Sequence, residues 1–525
     1  MSARGQSVRT VPGEAEKALD GGVVTVAAGV NAGSLAALAV SDAALARIAQ
    51  RNGGLNALTQ VFIEESRTRA RAIDAAVARG EPGGALAGVP IALKENICAT
   101  LGRTTAGSRA LENYVSPFDA AVVERLRGAG AVLIARANCD EFAMGGTGEH
   151  SAFGATRNPF DATRVPGGSS SGSAAAVGGP EGGMVPAALG SDTGGSIRQP
   201  AGWCGIVGIK PTYGRVSRWG LVAFASSLDQ IGPLARSVED AALVLDVIAG
   251  PDARDATCVA PAAAPGAFVE AARRGARGDF TGLKRKIGIA RQGIARANHP
   301  AVNESIERTR AHFSALGFDT VEVDLPHAEF GIAAYYIIAA AEASSNLARY
   351  DGVRYGHRAA LRPGEGLDAL YARSRSEGFG PEVQRRIMLG THVLSSGYFD
   401  AYYTTALRAR RVIRADFERA FAEGCAAVVL PCSPGPALRL GEKRSDPLAL
   451  YLEDVYTVGV NLAGVPAVAL PMGSAEVEGV ALPLGVQLIG AMRAEETILT
   501  LAAALESAEA QSAVGNAASS RRVSA

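Results

Sequence analysis

The chain of 525 residues has few of the residues that bind metals or form cross-links. It contains six cysteines, none in a CxxC pair, and six histidines, none with HxxxH or HExxH spacing. A chain of this length also buries enough surface to do without disulfide staples. These patterns exclude the common zinc motifs and a disulfide framework. They predict reduced thiols, a cytoplasmic location and no bound metal.

Net charge and long apolar runs are also missing. Lys plus Arg and Asp plus Glu each number 52, so no excess of positive charge predicts tight nucleic-acid binding. Residues 21–40 are uncharged but contain four glycines and follow acidic residues, which is wrong for a signal peptide. Glycine, proline or charge interrupts the other apolar runs, so we expect no membrane span. For residues 21–40 we expect a short strand followed by a helix.

Short apolar runs alternate with stretches of helical periodicity along the chain. We predict strands at 89–93, 131–134 and 426–430, and helices at 116–127, 174–177, 238–248 and 389–421. Ser116 and Ser237 are predicted helix N-caps. Such alternation favours a central, mostly parallel sheet. The fold class is therefore α/β, with a large mixed β-sheet flanked by helices on both faces.

Composition also predicts the domain organisation. Residues 251–285 are rich in Ala, Pro, Arg and Asp, and we interpret them as a surface loop. The α/β pattern resumes after them without a new composition, so residues 21–509 are predicted to form one domain. Residues 1–20 and 510–525 are predicted to be flexible tails.

One lysine stands in an otherwise apolar stretch. Residues 88–96 read GVPIALKEN, and Lys94 follows apolar residues over most of a predicted strand. Burial disfavours the ammonium form and lowers the pKa of a lysine, which would make Lys94 a usable base. The alternative is a lysine whose amine reaches solvent or pairs with Glu95.

Residues 166–200 hold two clusters of glycine and serine, in PGGSSSGSAAAVGGPEGGMVPAALGSDTGGSIRQP. Glycines beside serines are typical of backbone that a substrate approaches closely. The first cluster matches G-x-S-x-G, the nucleophile turn of α/β-hydrolases, with Ser170 at its centre. That motif needs a strand before it, and residues 164–166 (RVP) make a poor strand. The sequence therefore disfavours Ser170 as a nucleophile.

Ser196, in the second cluster, is better placed. It follows Thr193, Gly194 and Gly195, whose backbone N–H groups could converge on one oxygen. Glycine permits that close approach, so the cluster predicts an oxyanion hole beside a nucleophile. Taken alone, a Gly-Gly-Ser sequence is also typical of a simple turn.

Together, these elements resemble the amidase signature family. The resemblance runs from GVPIALKEN through PGGSSSGSAAAV to GSDTGGSIRQPA and GIVGIKPTYGRVSRWG. It implies the amidase-signature fold and a Ser-cisSer-Lys triad. In that triad Ser196 is the nucleophile, Ser169 follows a cis peptide bond and relays a proton, and Lys94, neutral at rest, is the base.

Longer stretches resemble one branch of that family, the A subunits of glutamyl-tRNA(Gln) amidotransferases. The matching stretches are 138–145, 216–242, 335–356, 385–403 and 446–471, and the resemblance covers about residues 34–505. It implies that Arg386 and Asp454 hold the α-carboxylate and α-ammonium groups of glutamine, with Tyr335 near the substrate. A forked guanidinium and a carboxylate suit a zwitterionic amino acid.

The same resemblance implies an activity and its partners. The chain would release ammonia from glutamine within a carbon–nitrogen ligase, together with B and C subunits. Glu-tRNA(Gln) would be held mainly by the B subunit, with Asp-tRNA(Asn) left open as a second substrate. The partner would use ATP and magnesium, and this chain would carry no cofactor. The alternatives are a free-standing amidase for another small amide and an inactive scaffold, the latter disfavoured because all three triad positions are intact.

The sequence departs from the family pattern in two places. Residues 178–183 (GGPEGG) are longer than expected and place Ser196 twenty-seven positions after Ser169. Ser171 stands where many members have glycine. A loop can absorb the added length, so we expect both departures to be compatible with activity.

Overall fold

The computed structural model describes residues 13–258, 263–443 and 446–523, with backbone alone for residues 513–523. Among the helices of these residues, none combines the length and the apolar character that a membrane crossing needs. All six cysteines are buried free thiols.

Within these residues, eleven strands form one sheet in the order β1-β3-β2-β4-β6-β5-β10-β11-β9-β7-β8. The strands are β1 (Leu58–Val61), β2 (Pro90–Lys94), β3 (Val132–Ala137), β4 (Ala187–Asp192), β5 (Val207–Lys210), β6 (Gln230–Ala235), β7 (Lys286–Ala290), β8 (Asp319–Val323), β9 (Cys425–Pro431), β10 (Ala467–Val477) and β11 (Val480–Ile489). Four of the ten strand pairings are parallel and six are antiparallel. The mixed sheet is confirmed, and the expectation that it is mostly parallel is wrong.

Helices surround this sheet. They are α1 (Glu14–Asn31), α2 (Ala37–Leu55), α3 (Ile63–Ala78), α4 (Ala121–Gly128), α5 (Ser171–Val177), α6 (Arg198–Trp203), α7 (Val238–Ile248), α8 (Ala267–Ala276), α9 (Pro300–Ala315), α10 (Gly331–Asn346), α11 (Leu367–Gly378), α12 (Pro381–Val393), α13 (Thr405–Ala422), α14 (Pro447–Tyr451), α15 (Val458–Ala463) and α16 (Glu495–Val523). Every residue of β2 to β6 and of β9 is buried, so both faces of these strands are covered.

The sequence predicts some of these elements closely. Strand β2 and helix α7 lie where expected, and Ser237 caps α7 by accepting the Asp240 N–H at 3.1 Å. The predicted helix from 389 to 421 is two helices, α12 and α13, with a π-helical turn between them at Phe399–Thr404.

Three other expectations need correction. The uncharged stretch 21–40 belongs to α1 and α2 and contains no strand, because apolar side chains such as Val23 and Val26 line a buried helix face. The predicted surface loop 251–285 contains α8, whose Phe268 is buried. Residues 14–20 and 510–523 are helical rather than flexible tails, whereas residues 1–12, 524 and 525 lie outside the described residues. The predicted single domain stays a prediction.

The sheet places the chemistry at the carboxyl ends of two neighbouring parallel strands. β2 pairs with β4 in parallel, with Leu93 opposite Leu189. β2 ends at Lys94 and β4 ends at Asp192. The lysine and the second glycine–serine cluster therefore emerge side by side at one edge of the sheet.

Candidate active site

Lys94 lies fully buried among serine hydroxyl groups. Its Nζ is 2.8 Å from Ser169 Oγ, 3.0 Å from Ser170 Oγ and 2.9 Å from Ser191 Oγ. The Ser191 carbonyl oxygen lies at 3.3 Å from the same amine. The structure thus brings together Lys94 and Ser169, two of the three predicted triad residues, and the alternative of a solvent-reaching lysine does not apply.

Of the three serines beside Lys94, Ser169 and Ser170 differ in where their protons go. Ser170 Oγ donates to the Ser191 carbonyl oxygen at 3.1 Å and accepts the Ser191 N–H at 3.2 Å. Ser170 can therefore only accept a hydrogen bond from Lys94. Ser169 Oγ has no other hydrogen-bond partner in the described part of the chain. Its proton can therefore point at the lone pair of a neutral Lys94 amine. The Ser191 hydroxyl accepts from Asn96 Nδ2 at 2.9 Å, so its proton also has no acceptor other than that amine among the described residues.

Burial favours the neutral form of the Lys94 amine. Burial lowers the pKa of Lys94 to about 8, and nearby Asp140 and Asp192 act in the opposite direction. An appreciable fraction of the amine is therefore neutral in mildly alkaline solution, as a general base requires.

The Gly168–Ser169 peptide bond is cis, as the resemblance implies. The Gly168 N–H donates to Gln199 Oε1 at 3.0 Å. A side chain at position 168 has no room, because a Cβ there would lie 2.1 Å from Asp140 Oδ2. The next residue, Ser169, has its hydroxyl 2.8 Å from Lys94 Nζ.

Ser196 lies in a loop that a buried carboxylate holds in place. Asp192 Oδ1 accepts the Gly195 N–H at 2.9 Å, and Asp192 Oδ2 accepts the Ile197 N–H at 3.1 Å. These two contacts clamp the backbone on either side of Ser196. The Ser196 hydroxyl makes no hydrogen bond to any described residue, and its carbonyl oxygen accepts the Ser170 N–H at 3.1 Å.

A buried network fixes Asp192 in turn. Arg198 pairs with Asp192 at 3.0 Å, and both side chains are fully buried. Asn461 Nδ2 donates to Asp192 Oδ1 at 2.9 Å, and Arg198 Nη1 donates to Gln487 Oε1 at 2.7 Å. Burial alone would raise the pKa of Asp192, but the Arg198 guanidinium outweighs this effect and lowers the pKa to about 2. The clamp therefore stays ionised.

The predicted oxyanion hole is only partly available. The Gly195 N–H is engaged by Asp192, so the structure does not support Gly195 as a donor to substrate. The N–H groups of Thr193, Gly194 and Ser196 have no hydrogen-bond acceptor within the described residues. Those three groups are the ones that a developing oxyanion could use.

Tyr335 closes over this loop. A Cβ on Gly194 would lie 2.5 Å from Tyr335 Cζ, so the aromatic ring rests directly against the glycine backbone. On the other side, Thr457 Oγ1 donates to the Gly194 carbonyl oxygen at 2.6 Å. The sequence-predicted Tyr335 thus lies beside the predicted nucleophile loop.

Arg386 lies in α12 inside an aromatic cage. Its Cζ is 5.1 Å from the Tyr336 ring centroid, 5.4 Å from that of Tyr451 and 5.5 Å from that of Phe224. Its Nε donates to Glu382 Oε1 at 2.7 Å. The terminal nitrogens make no hydrogen bond to a described residue, so one edge of the guanidinium is left for a ligand.

Asp454 contacts Tyr336, one of the tyrosines around Arg386. Tyr336 donates to Asp454 Oδ2 at 3.3 Å, and the Tyr335 and Tyr336 rings meet edge to face with centroids 5.0 Å apart. Burial raises the pKa of Asp454 to about 7, with Arg386 acting to lower it. A cation, an acid and two tyrosines therefore converge beside the Ser196 loop.

Sequence reasoning missed several of these residues. They are Ser191, Asn96, Arg198, Tyr336, Glu382, Tyr451, Thr457 and Asn461. A weak signal existed for two of them, because Ser191 and Arg198 flank the predicted nucleophile loop. Asn96, Tyr336, Glu382, Tyr451 and Thr457 lie within four positions of a predicted site residue, but nothing in the local sequence shows what their side chains contact. Asn461 is seven positions from Asp454, and only the fold brings it to Asp192.

The long loop at residues 178–183 packs away from these groups. Arg51 Nη1 donates to the Gly182 carbonyl oxygen at 2.6 Å, and Arg47 Nη1 to that of Gly183 at 3.2 Å. The added length thus lies against α2. Ser171, the other departure, is buried within 3.2 Å of Thr156 Oγ1.

The amidase family model matches residues 39–499 of this chain. The chain therefore belongs to the amidase family. The A subunit of the glutamyl-tRNA(Gln) amidotransferase of Symbiobacterium thermophilum is 52% identical over 472 residues, which are 90% of this chain and 93% of that protein.

Solved structures show the same fold. The crystal structure of the A subunit of the glutamyl-tRNA(Gln) amidotransferase from Thermotoga maritima matches 92% of this chain and 94% of its own, with 38% identity and a TM-score of 0.71. The native peptide amidase from Stenotrophomonas maltophilia matches 93% and 96%, with 30% identity and a TM-score of 0.78. An amidotransferase subunit and a peptide amidase therefore share this fold, so the fold alone does not distinguish between them.

Proposed function

We propose that this chain hydrolyses the side-chain amide of free glutamine and supplies the ammonia to partner subunits of a glutamyl-tRNA(Gln) amidotransferase. The observation that carries the proposal is the pair Arg386 and Asp454, which contact one tyrosine, Tyr336, beside the Ser196 loop. Relatives at about half identity over most of the chain bear the matching name.

The two charged residues account for the choice of amide. The free edge of Arg386 would take the α-carboxylate of the amino acid in two parallel hydrogen bonds. Asp454 would take the α-ammonium group. With both groups held, the side-chain amide would extend past Tyr335 toward Ser196.

The triad would then carry out acyl transfer. Ser196 Oγ attacks the amide carbon while its proton passes to Ser169, whose own proton passes to neutral Lys94. The N–H groups of Thr193, Gly194 and Ser196 would stabilise the oxyanion. The C–N bond breaks, and ammonia leaves with the proton returned through Ser169. Water attacks the glutamyl ester with the same base, releasing glutamate and restoring Ser196.

The ligase chemistry would take place on partners. We propose a heterotrimer with B and C subunits, in which the B subunit holds Glu-tRNA(Gln) and uses ATP and magnesium. The sequence of this chain contains no GxxxxGK[ST] phosphate loop, which agrees with that division. Whether Asp-tRNA(Asn) is also a substrate stays open.

A free-standing amidase for another small amide is the second candidate. The similarity to a peptide amidase favours it, and a Ser-Ser-Lys site would serve either reaction. The Arg386–Asp454 pair argues against it, because a neutral amide needs neither charge.

Amide hydrolysis by the purified chain, alone and with B-type and C-type subunits, tests the proposal. We expect ammonia release from glutamine that rises when the subunits are added. Replacing Arg386 with Met should raise KM for glutamine yet leave the slow hydrolysis of propionamide, which has no α-carboxylate, unchanged. Robust hydrolysis of unrelated amides with none of glutamine would contradict the proposal.

A further inference from the structure

A second cavity lies at the carboxyl ends of three parallel strands, on the other half of the sheet. β9, β7 and β8 run parallel and are neighbours. The segments that follow them enclose a cavity of about 500 Å³. Its lining includes Ala295, Leu325, Ala328, Leu430, Leu452 and Glu453. Crevices outside the carboxyl ends of strands are where open α/β sheets bind ligands.

The segments that line this cavity carry four exposed apolar residues, which we call its rim. Leu452 lines the cavity and is 48% exposed. Ile294, Phe330 and Leu448, each next in the chain to a lining residue, are 39%, 45% and 64% exposed. A small ligand would fill the cavity but leave these side chains in water. Exposed apolar side chains around an apolar cavity therefore favour a protein as the occupant.

The polar part of the lining includes one buried carboxylate. Glu453 is 5% exposed and its Oε1 accepts a hydrogen bond from Lys443. Its Oε2 is buried without a hydrogen-bond partner among the described residues. A buried acceptor without a donor is unfavourable, so the site is complementary to an incoming N–H donor. Glu329 also lines the cavity, so the described part of its lining has two acids and one cation, Lys443.

We propose that this cavity and its rim dock a partner subunit, which inserts an apolar side chain together with a lysine or arginine that reaches Glu453. The proposal rests on the proposed function, since it assigns a surface to that assembly. An apolar anchor beside a cation is the chemistry typical of the centre of a protein–protein interface.

The position of Glu453 connects docking to the reaction. Glu453 is part of the cavity lining, and the next residue, Asp454, accepts a hydrogen bond from the Tyr336 hydroxyl. A partner that orders the segment around Glu453 therefore orders the predicted ammonium-binding acid. Docking should lower KM for glutamine rather than alter the Ser196 loop.

Calorimetric titration of the full chain with purified B-type and C-type subunits tests the surface. Leu452→Asp and Ile294→Asp should each weaken association at least tenfold, and Glu453→Gln should weaken it severalfold. Ile63→Asp is the matched control, because Ile63 is 48% exposed at the start of α3, outside the cavity lining. It should bind within twofold of the unsubstituted chain.

The outcomes separate the two proposals. If the unsubstituted chain binds the subunits and all variants bind equally well, the docking surface is wrong and the proposed function stands. If the unsubstituted chain does not bind the subunits, both the docking and the ligase role are wrong. Glutamine hydrolysis by each variant alone is the second readout, and it should match that of the unsubstituted chain for Ile294→Asp and Ile63→Asp.

Discussion

Lys94 can act as a base only when its amine is neutral, and burial at the end of β2 makes that form accessible. Because burial lowers the pKa of Lys94 to about 8, kcat for glutamine hydrolysis should rise with pH and level off above about 8. Lys94→Met should lower kcat by about 10²- to 10⁴-fold, the usual contribution of a general base. A pH–rate profile measured from pH 6 to 10 checks both.

A second buried lysine provides the control for that profile. Lys210 is also fully buried, with its pKa lowered by burial to about 7, and its Nζ donates to the Pro211 carbonyl oxygen at 2.9 Å. Lys210→Met should leave the midpoint near 8. A profile that is flat for the unsubstituted chain, or one that changes only with Lys210, would show that Lys94 is not the base.

Asp454 gives glutamine binding its own pH dependence. Burial raises the pKa of Asp454 to about 7, and only its ionised form attracts an ammonium group. KM should therefore rise as pH falls below about 7, by up to about tenfold per pH unit, the limit for binding that requires one proton to leave. Asp454→Asn should give a high KM that no longer changes over this range. An unchanged KM in that variant would contradict the assignment.

Among the secondary-structure elements, the loop between β4 and α6 depends on two glycines that neighbouring side chains press against. A Cβ on Gly194 would lie 2.5 Å from Tyr335 Cζ, and one on Gly195 would lie 2.3 Å from Thr457 Oγ1. Gly194→Ala should therefore displace Tyr335 or the loop and lower kcat/KM at least about 100-fold, the size of effect expected when a reacting group moves by about 1 Å.

The control for that substitution is a glycine with space around it. Gly54, near the end of α2, has no atom within 4 Å of a Cβ position. Gly54→Ala should keep full activity and gain up to about 1 kcal/mol of unfolding free energy from helix propensity. Kinetic assays and thermal melts of both variants measure the contrast. Full activity in Gly194→Ala would show that this contact is not needed.

The sequence predicts those elements whose local signals agree with their surroundings. Helix α7 combines an N-cap at Ser237 with helical periodicity, and the structure has it from Val238 to Ile248. The start predicted for α4 at residues 116–117 is wrong, and the helix begins at Ala121. Ser116 Oγ instead accepts the Phe118 N–H at 3.4 Å, the chain bends at residues 117–118, and Phe118 packs on Trp219. Tertiary contacts thus override a good local cap signal.

The strand pairing of the sheet is also beyond what local sequence signals predict. One of its six antiparallel pairings is the β10–β11 hairpin, whose two-residue turn has positive φ at Glu478 and Gly479. Positive φ at both positions is the turn that hairpins favour, but Glu-Gly is a weaker signal for it than Asn-Gly. The sequence around helix α8 is rich in alanine, proline and arginine, and this composition predicts a loop. The helix packs on α7 and α16, and these contacts stabilise it.

For the whole molecule, the site exists only because the sheet gathers distant segments. Lys94 and Ser169, 75 positions apart, meet at 2.8 Å, and Thr457 reaches Gly194 across 263 positions. Lys94 contacts Ser169, Tyr335 lies against Gly194, and Arg386 and Asp454 share Tyr336. The resemblance assigns Lys94, Ser169, Tyr335, Arg386 and Asp454 to one site, and their roles there stay predictions. It could not show the Asp192 clamp or the engagement of the Gly195 N–H, because both depend on side-chain geometry.

The central claim is that this chain makes ammonia at Ser196 for an amide transfer that occurs elsewhere. The most direct measurement compares glutamine-dependent and ammonium-dependent amide transfer to Glu-tRNA(Gln) by the assembled complex, with and without Ser196→Ala. The account predicts that the substitution abolishes transfer from glutamine and leaves transfer from free ammonium near its original rate. Loss of transfer from both donors, or survival of transfer from glutamine, would contradict it.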